Sequence, residues 1–532
     1  MTEPEREPIR NDEPGDEHGA RVVAPPLDIE RPASRRAFFI KGAAIGAGAV
    51  GSAALAQRIG RSANVGGSSA TPRIPGLFHN APTDVAERWG TLPVRLSRRI
   101  AYGLTQNDVQ QAKMLGFAGY LDYQLDYASI DDGAVDSFVA FNYPELAMTG
   151  AQLVALTAST VQSRLQEATL FRAAFSKRQL YERMVEFWSD HFNISMNKVG
   201  YLKVIDDRSV IRANALGKFP AMLRASAHSA AMLAYLDNNL SRYPKVNENY
   251  ARELMELHTV GVNGGYTQTD VSEVARCFSG WTIQGRGDFY FDPAGHDFGS
   301  KTFLGQTIPA APGTGAAGVS DGETVLNFLV THPSTASFIS TKMIRWLLQY
   351  EPPPALVARV AAVYTQSGGD IPAMIRAILT PDNVINAPVK HKRPFHFVAS
   401  ALRSLNPVVT KLTAIATTQL GILGQDSFIW ETPDGYPDSV NYWAGGVMSR
   451  WRFADFLTAL TSGDVIVDVA PFMVSGTADG ITAAINSALF AGEMPASDAD
   501  RIRSYLAAAA ITSTRTREAV SLAIGSAGFQ WY

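Results

Sequence analysis

The sequence predicts a mainly α protein. It reads as one large multi-helix domain with a small β-hairpin or loop insertion near 285–308 and an irregular aromatic loop near 424–446. Three observations predict this. From Val94 onward, apolar residues recur at helical spacing, punctuated by Gly, Pro and Asn-Asp pairs. A short segment around Phe289 and Phe291 alternates apolar with polar residues as a strand does. With 46% hydrophobic and 18% charged residues, the 532-residue chain holds enough apolar material for one large or two medium cores.

Residues 1–33 are rich in proline and charge and read as a disordered leader. Arg35 and Arg36 then precede Phe38 and the run "GAAIGAGAVGSAALA", which is too short and too weakly apolar for a stable membrane span. Ala54-Leu55-Ala56 is a small-residue cleavage signature, so cleavage is expected near Ala56–Gln57. The whole of 34–56 resembles a twin-arginine export signal, which implies a periplasmic or secreted chain and a route that allows a cofactor to be loaded before export. Residues 57–93 form a linker and entry segment, and 94–532 the helical domain. A net charge of −3 leaves no basic footprint for nucleic acid. The lone Cys277 excludes an intramolecular disulfide and reads as a small buried hydrophobe.

Along the domain, 95–132 divides into two or three short helices, 150–193 into two long ones, and 210–280 continues helically. Thr267-x-x-Asp270 is a helix start, and Gly280 closes that helix. After the hairpin segment, helices resume around 322–350 and 354–380. The stretch "GQDSFIWETPDGYPDSVNYWAGG" holds too many turn residues for regular structure, and further helices finish the chain.

The stretch "NENYARELMELHTVGVNGGY" carries the densest chemistry. At 100° per residue, Glu248, Arg252, Glu253 and Glu256 share one arc, and Glu248, Arg252 and Glu256 form an i, i+4, i+8 ion-pair ladder. His258 falls on the opposite, apolar arc, so one metal ion is not easily chelated by Glu253 and His258 together. His191 in "RQLYERMVEFWSDHFNIS" likewise sits among Met184, Phe187 and Trp188. Two core-facing imidazoles from two helices fit ligands of a transition metal or haem, a buried acid–base pair, or hydrogen-bonded core histidines. Asp190, beside His191, points the other way.

Loops supply the rest. His296 and Asp297 in "AGHDFGSK" fit either a binding pair or a turn. Asp434, Tyr436 and Trp443 lie in "TPDGYPDSVNYW", a proline-stiffened loop fit to stack on a substrate or cap a pocket. His228 belongs to a polar stripe read as exposed or site-lining. His332-Pro333 reads as a helix start with Ser334 as N-cap, and "KHKRPFHF" as a solvated helix entry or an anion patch. No Gly-x-Ser-x-Gly, Walker loop, dinucleotide fingerprint or Cys-x-x-Cys-His is present.

The segments "FWSDHFNIS", "MLAYLDN", "NENYARELMELHTVGVNGGYTQTDVSEVARCFSGWTI", "HDFGSKTFLGQTI" and "PDGYPDSVNYW" occur in an order that resembles a bacterial family, domain-of-unknown-function family 1800. The resemblance runs from about Val94 to the C-terminus. It implies an exported, largely helical protein and, as partner, a co-exported member of uncharacterised family 1501, but no reaction. Two functions follow as expectations. One is a metal- or haem-dependent envelope enzyme with His191, His258, Glu253, Glu256, Arg252, His296 and Asp297 in its site. The other is a non-catalytic envelope binding or assembly protein that acts with a partner on surface polysaccharide or protein.

Overall fold

Local signals set the helix ends. Thr105 with Asp108, Thr149 with Gln152 and Thr267 with Asp270 form reciprocal capping boxes, each satisfying two backbone N–H groups that a helix start leaves open. Proline, which has no N–H to lose, opens the helices Pro333–Leu347, Pro354–Ser367 and Pro394–Leu405. The computed structural model describes residues 91–311 and 317–532, so the leader, the export signal and most of the linker lie outside the described residues. The described residues are 64% helical, with small antiparallel strand pairs beside the helices. No helix among the described residues is long and apolar enough to cross a membrane.

Two hydrophobic clusters organise these helices. The first includes Leu96, Met184, Trp188, Met255, Trp281 and Ile344. The second is built around the helices Ala158–Phe175 and Pro394–Leu405, and every residue of the latter is buried. The helix Gln179–His191 contributes its apolar arc to the first cluster. The insertion consists of two hairpins, Trp281–Gln284 with Asp288–Phe291 and Lys301–Phe303 with Gln306–Ile308. In Asp288–Phe291 the alternation survives, with Phe289 and Phe291 half-buried between exposed neighbours.

Three local readings change. The helix expected across 248–260 is α only over Asn249–Glu253. Leu254–His258 is a π turn, closed by Gly261 N–H donating to Met255 O at 3.0 Å and Thr259 Oγ1 to Leu254 O at 2.6 Å. Ser334 does not cap the helix after His332. His332 is itself the N-cap, its Nδ1 accepting the Ser334 N–H at 3.2 Å. The entry "KHKRPFHF" is not solvated, since Lys390, His391, Lys392, Arg393 and His396 are all buried. Their charges are met by carboxylates and aromatic rings from elsewhere in the chain, which no local pattern displays.

Candidate functional site

The helix Gln179–His191 separates two environments. Opposite its apolar arc, Glu182, Glu186 and Asp190 line a cavity of about 40 Å³ with Phe395, Phe428 and Tyr436. That is room for about three waters. The cavity roof is the 424–446 loop. Gly435 has φ +72°, and a Cβ there would stand 2.2 Å from the Asp190 carbonyl oxygen, so only glycine allows this approach.

One guanidinium organises the carboxylates. Glu186 and Asp190, four residues apart and both anionic, would repel each other on a free helix. Arg393 bridges them, donating through Nη1 to Asp190 Oδ2 at 2.7 Å and through Nη2 to Glu186 Oε1. Its guanidinium lies 4.7 Å from the Trp346 ring, and Arg183 approaches the same ring at 4.4 Å. Tyr102 Oη donates to Glu186 Oε2 at 2.8 Å. Arg183 donates to His396 Nδ1 and to Tyr532 Oη, both at 3.2 Å. Burial pushes the half-buried Asp190 carboxyl up to about 6, and Arg393 restrains the rise. Burial alone would lower the Arg393 pKa, but Asp190 and Glu186 hold it up.

At the end of this helix, the two core-facing histidines come together with ring centroids 5.9 Å apart. A third group joins them. Lys342 Nζ lies 2.9 Å from His191 Nδ1, and His191 Nε2 lies 3.2 Å from the His258 carbonyl oxygen. Because an ammonium only donates, His191 accepts at Nδ1 and carries its proton on Nε2, which donates to the carbonyl. Burial holds His191 well below its ordinary pKa, reinforced by Lys342 and His258. Burial and Lys342 push His258 down to about 3, and its Nε2 has no hydrogen-bond partner among the described residues. Lys342 is half-buried. Burial pushes it down to about 8, against the upward pull of Asp190 and Asp434.

This donor set does not fit a metal or haem iron held by His191 and His258. Both His191 nitrogens are engaged, and a cation stands against one of them. Among the described residues, no group of three or more His, Cys, Asp or Glu side chains is placed to hold a metal ion. The arrangement instead puts an amine that burial pushes down to about 8 within charge reach of a carboxyl pushed up to about 6, and that carboxyl lines the water-sized cavity, a pairing suited to proton transfer.

The loop residues divide. Tyr436 lines the cavity and donates its hydroxyl to the Asp426 carbonyl at 2.5 Å. Asp434 accepts from Thr432 Oγ1 at 2.6 Å and Trp430 Nε1 at 3.2 Å, within charge reach of Lys342. Trp443 is buried and braces the loop from within, its indole N–H on the Pro437 carbonyl at 2.7 Å.

Glu253, Glu256 and Arg252 are half-buried. Arg252 donates to Glu248 at 3.2 Å, and Gln268 and Ser272 also bond Glu248, so the Glu248–Arg252 rung of the expected ladder is a structural contact, while Glu256 lies in the π turn. Glu253 lies within charge reach of Tyr235, whose hydroxyl donates to the Glu431 carbonyl at the foot of the loop. Burial, then Glu256, pushes the Tyr266 hydroxyl up to about 12.

His296 and Asp297 join a separate network that ties the second hairpin down. His296 Nδ1 donates to the Ser279 carbonyl at 2.6 Å, and its Nε2 contacts Asp321 at 3.2 Å. Asp297 accepts from Arg276 Nε at 2.7 Å, and Lys301 donates to Asp321 at 2.6 Å. His228 packs tilted against the Trp281 ring and edge-on against Phe289.

Sequence reasoning missed Lys342, Glu186, Arg393 and Asp190 as members of the site. A faint signal existed for Lys342, which interrupts a stripe between Phe338 and Trp346 at helical i, i+4 spacing. Arg393 carried none, because its carboxylate partners lie more than 200 positions away.

No curated protein and no solved structure matches the chain. A family model described as "Protein of unknown function (DUF1800)" matches residues 95–531. That span includes every member of the site, and because it covers most of the chain, the chain belongs to this family.

Proposed function

We propose that this protein is an exported envelope enzyme, a hydrolase working by general acid–base chemistry without a metal or haem at the histidine pair. The observation that carries the reading is the Lys342 amine seated 2.9 Å from His191 Nδ1, within charge reach of Asp190 and of Asp434 in the 424–446 loop. At neutral pH, Asp190 (about 6) is ionised and Lys342 (about 8) protonated. Asp190 is the base that takes a proton from water, and Lys342 the acid that protonates the leaving group. His191 positions the Lys342 amine, Arg393 positions Asp190, and Asp434 and Tyr436 face the substrate.

The test is a screen of chromogenic esters, glycosides and amides with the mature protein. The expected profile of kcat/KM is bell-shaped, with limbs near 6 and 8, and Lys342→Met and Asp190→Asn each lower kcat by roughly 10²–10⁴. An activity that is flat from pH 5 to 9, or indifferent to Lys342→Met, rejects the assignment. A readout independent of substrate is competitive acetylation of Lys342, with a midpoint near 8 that falls further in Asp190→Asn, because Asp190 raises it. Export rests on Arg35 and Arg36, so the Arg35→Lys/Arg36→Lys chain should stay uncleaved in the cytoplasm on fractionation.

A second reading, a non-catalytic binding protein acting with the family 1501 partner, is favoured by one observation. Tyr442, Val447, Met448 and Trp451 leave an exposed apolar patch on and just after the loop. Glycan or partner binding lost in Trp451→Ala, with no hydrolysis detected, would favour it over the enzyme.

A further inference from the structure

A second cavity of about 40 Å³ is separate from the Asp190 cleft, with Tyr102 lining both. The second one is lined by Arg98, Lys392, Ser404, Phe490, Phe529 and Trp531, among others. Lys392 is only 7% exposed. Its backbone N–H donates to the Gln530 carbonyl, its own carbonyl accepts from Arg450 at 2.7 Å, and its Nζ stands 3.9 Å over the Phe529 ring. No carboxylate among the described residues pairs with that amine. The charged neighbours that act on it, Arg98 and Arg450, are both cations. Of the lining cations, Arg98 has a carboxylate partner in Glu493, at 3.3 Å.

A buried amine with only cations around it is costly when charged, and a countercharge removes that cost. The space beside Lys392 is sized for roughly three waters. Its wall carries both polar groups (Arg98, Lys392 and Ser404) and the rings of Phe490, Phe529 and Trp531. A halide or phosphate would leave the rings without a partner, whereas a short carboxylate offers charge at one end and methyl or methylene at the other.

We propose that this cavity binds a small carboxylate anion, whose charge pairs with the Lys392 ammonium and the Arg98 guanidinium while its apolar end lies against Phe490 and Phe529. The anion supplies the countercharge that the fold itself omits. Binding draws Lys392, which burial and the two arginines otherwise hold well below its ordinary pKa, into its charged form.

The experiment is thermal denaturation of the full mature protein in acetate, propionate, phosphate or chloride at constant ionic strength. The expected result is a saturable rise in Tm of about 3 °C with acetate or propionate. The rise is absent in Lys392→Met, whose Tm without anion equals or exceeds that of the wild type because the uncompensated amine is gone. A flat wild-type response, an unchanged response in Lys392→Met, or a larger effect of phosphate or chloride overturns the proposal. If Lys392→Met does not fold, equilibrium dialysis of labelled acetate against the wild type decides, with one site per chain expected and none refuting it.

Discussion

His258 is the residue whose placement separates function from packing most cleanly. Its imidazole is buried, and burial pushes its pKa down to about 3. Below pH 6.5 the unfolded chain takes up a proton there that the folded chain refuses, so stability is lost as pH falls from 6.5 towards 3. At pH 5 the loss from this group is about 2 kcal/mol. His258→Leu should therefore lose about 2 kcal/mol less than the wild type between pH 7 and 5 in urea titrations. It also removes an unpartnered buried nitrogen, so its stability at pH 7 should not fall. The core position of His258 was legible from the helical arc. What its ring does was not, because the decisive neighbour, Lys342, arrives from a helix 84 residues further on.

At the scale of elements, the ends of helices were readable and the interruptions were not. Thr267-x-x-Asp270 marks a start that the fold uses as a reciprocal cap, and Thr267→Ala should cost about 1 kcal/mol by denaturant titration. The π turn at Leu254–His258 left no mark in the periodicity. One added residue per turn is a small phase change, and it depends on where Thr259 and Gly261 find carbonyls. The 424–446 loop was recognisable as irregular from its prolines and turn residues, but its place over the Asp190 cavity was not. Gly435 is the contact that locks it on Asp190. Gly435→Ala should displace the loop, cost about 1–3 kcal/mol and accelerate proteolysis within 424–446, without unfolding the rest of the chain.

Across the whole molecule, composition left one large core or two medium ones open, and neither the division into two main clusters nor their junction could be read from it. That junction is polar. Arg393, from the entry to a helix of the second cluster, holds Glu186 and Asp190 on a helix of the first. A dense run of Lys, His and Arg reads locally as surface, and only partners distant in sequence make it interior. Removing the cation leaves two carboxylates facing each other in a buried site. Arg393→Leu should therefore cost about 3–5 kcal/mol in urea denaturation, and Arg393→Leu/Glu186→Leu should recover part of that loss.

The same junction bears on biosynthesis. When residues 179–191 leave the ribosome, the guanidinium that neutralises them is still two hundred codons from being made. The like charges on that helix stay adjacent and unbridged until about three-quarters of the chain has been made. This protein thus locks its two clusters together across the junction late in synthesis. A translocation route that accepts only finished folds would hold it back until the last helices have docked.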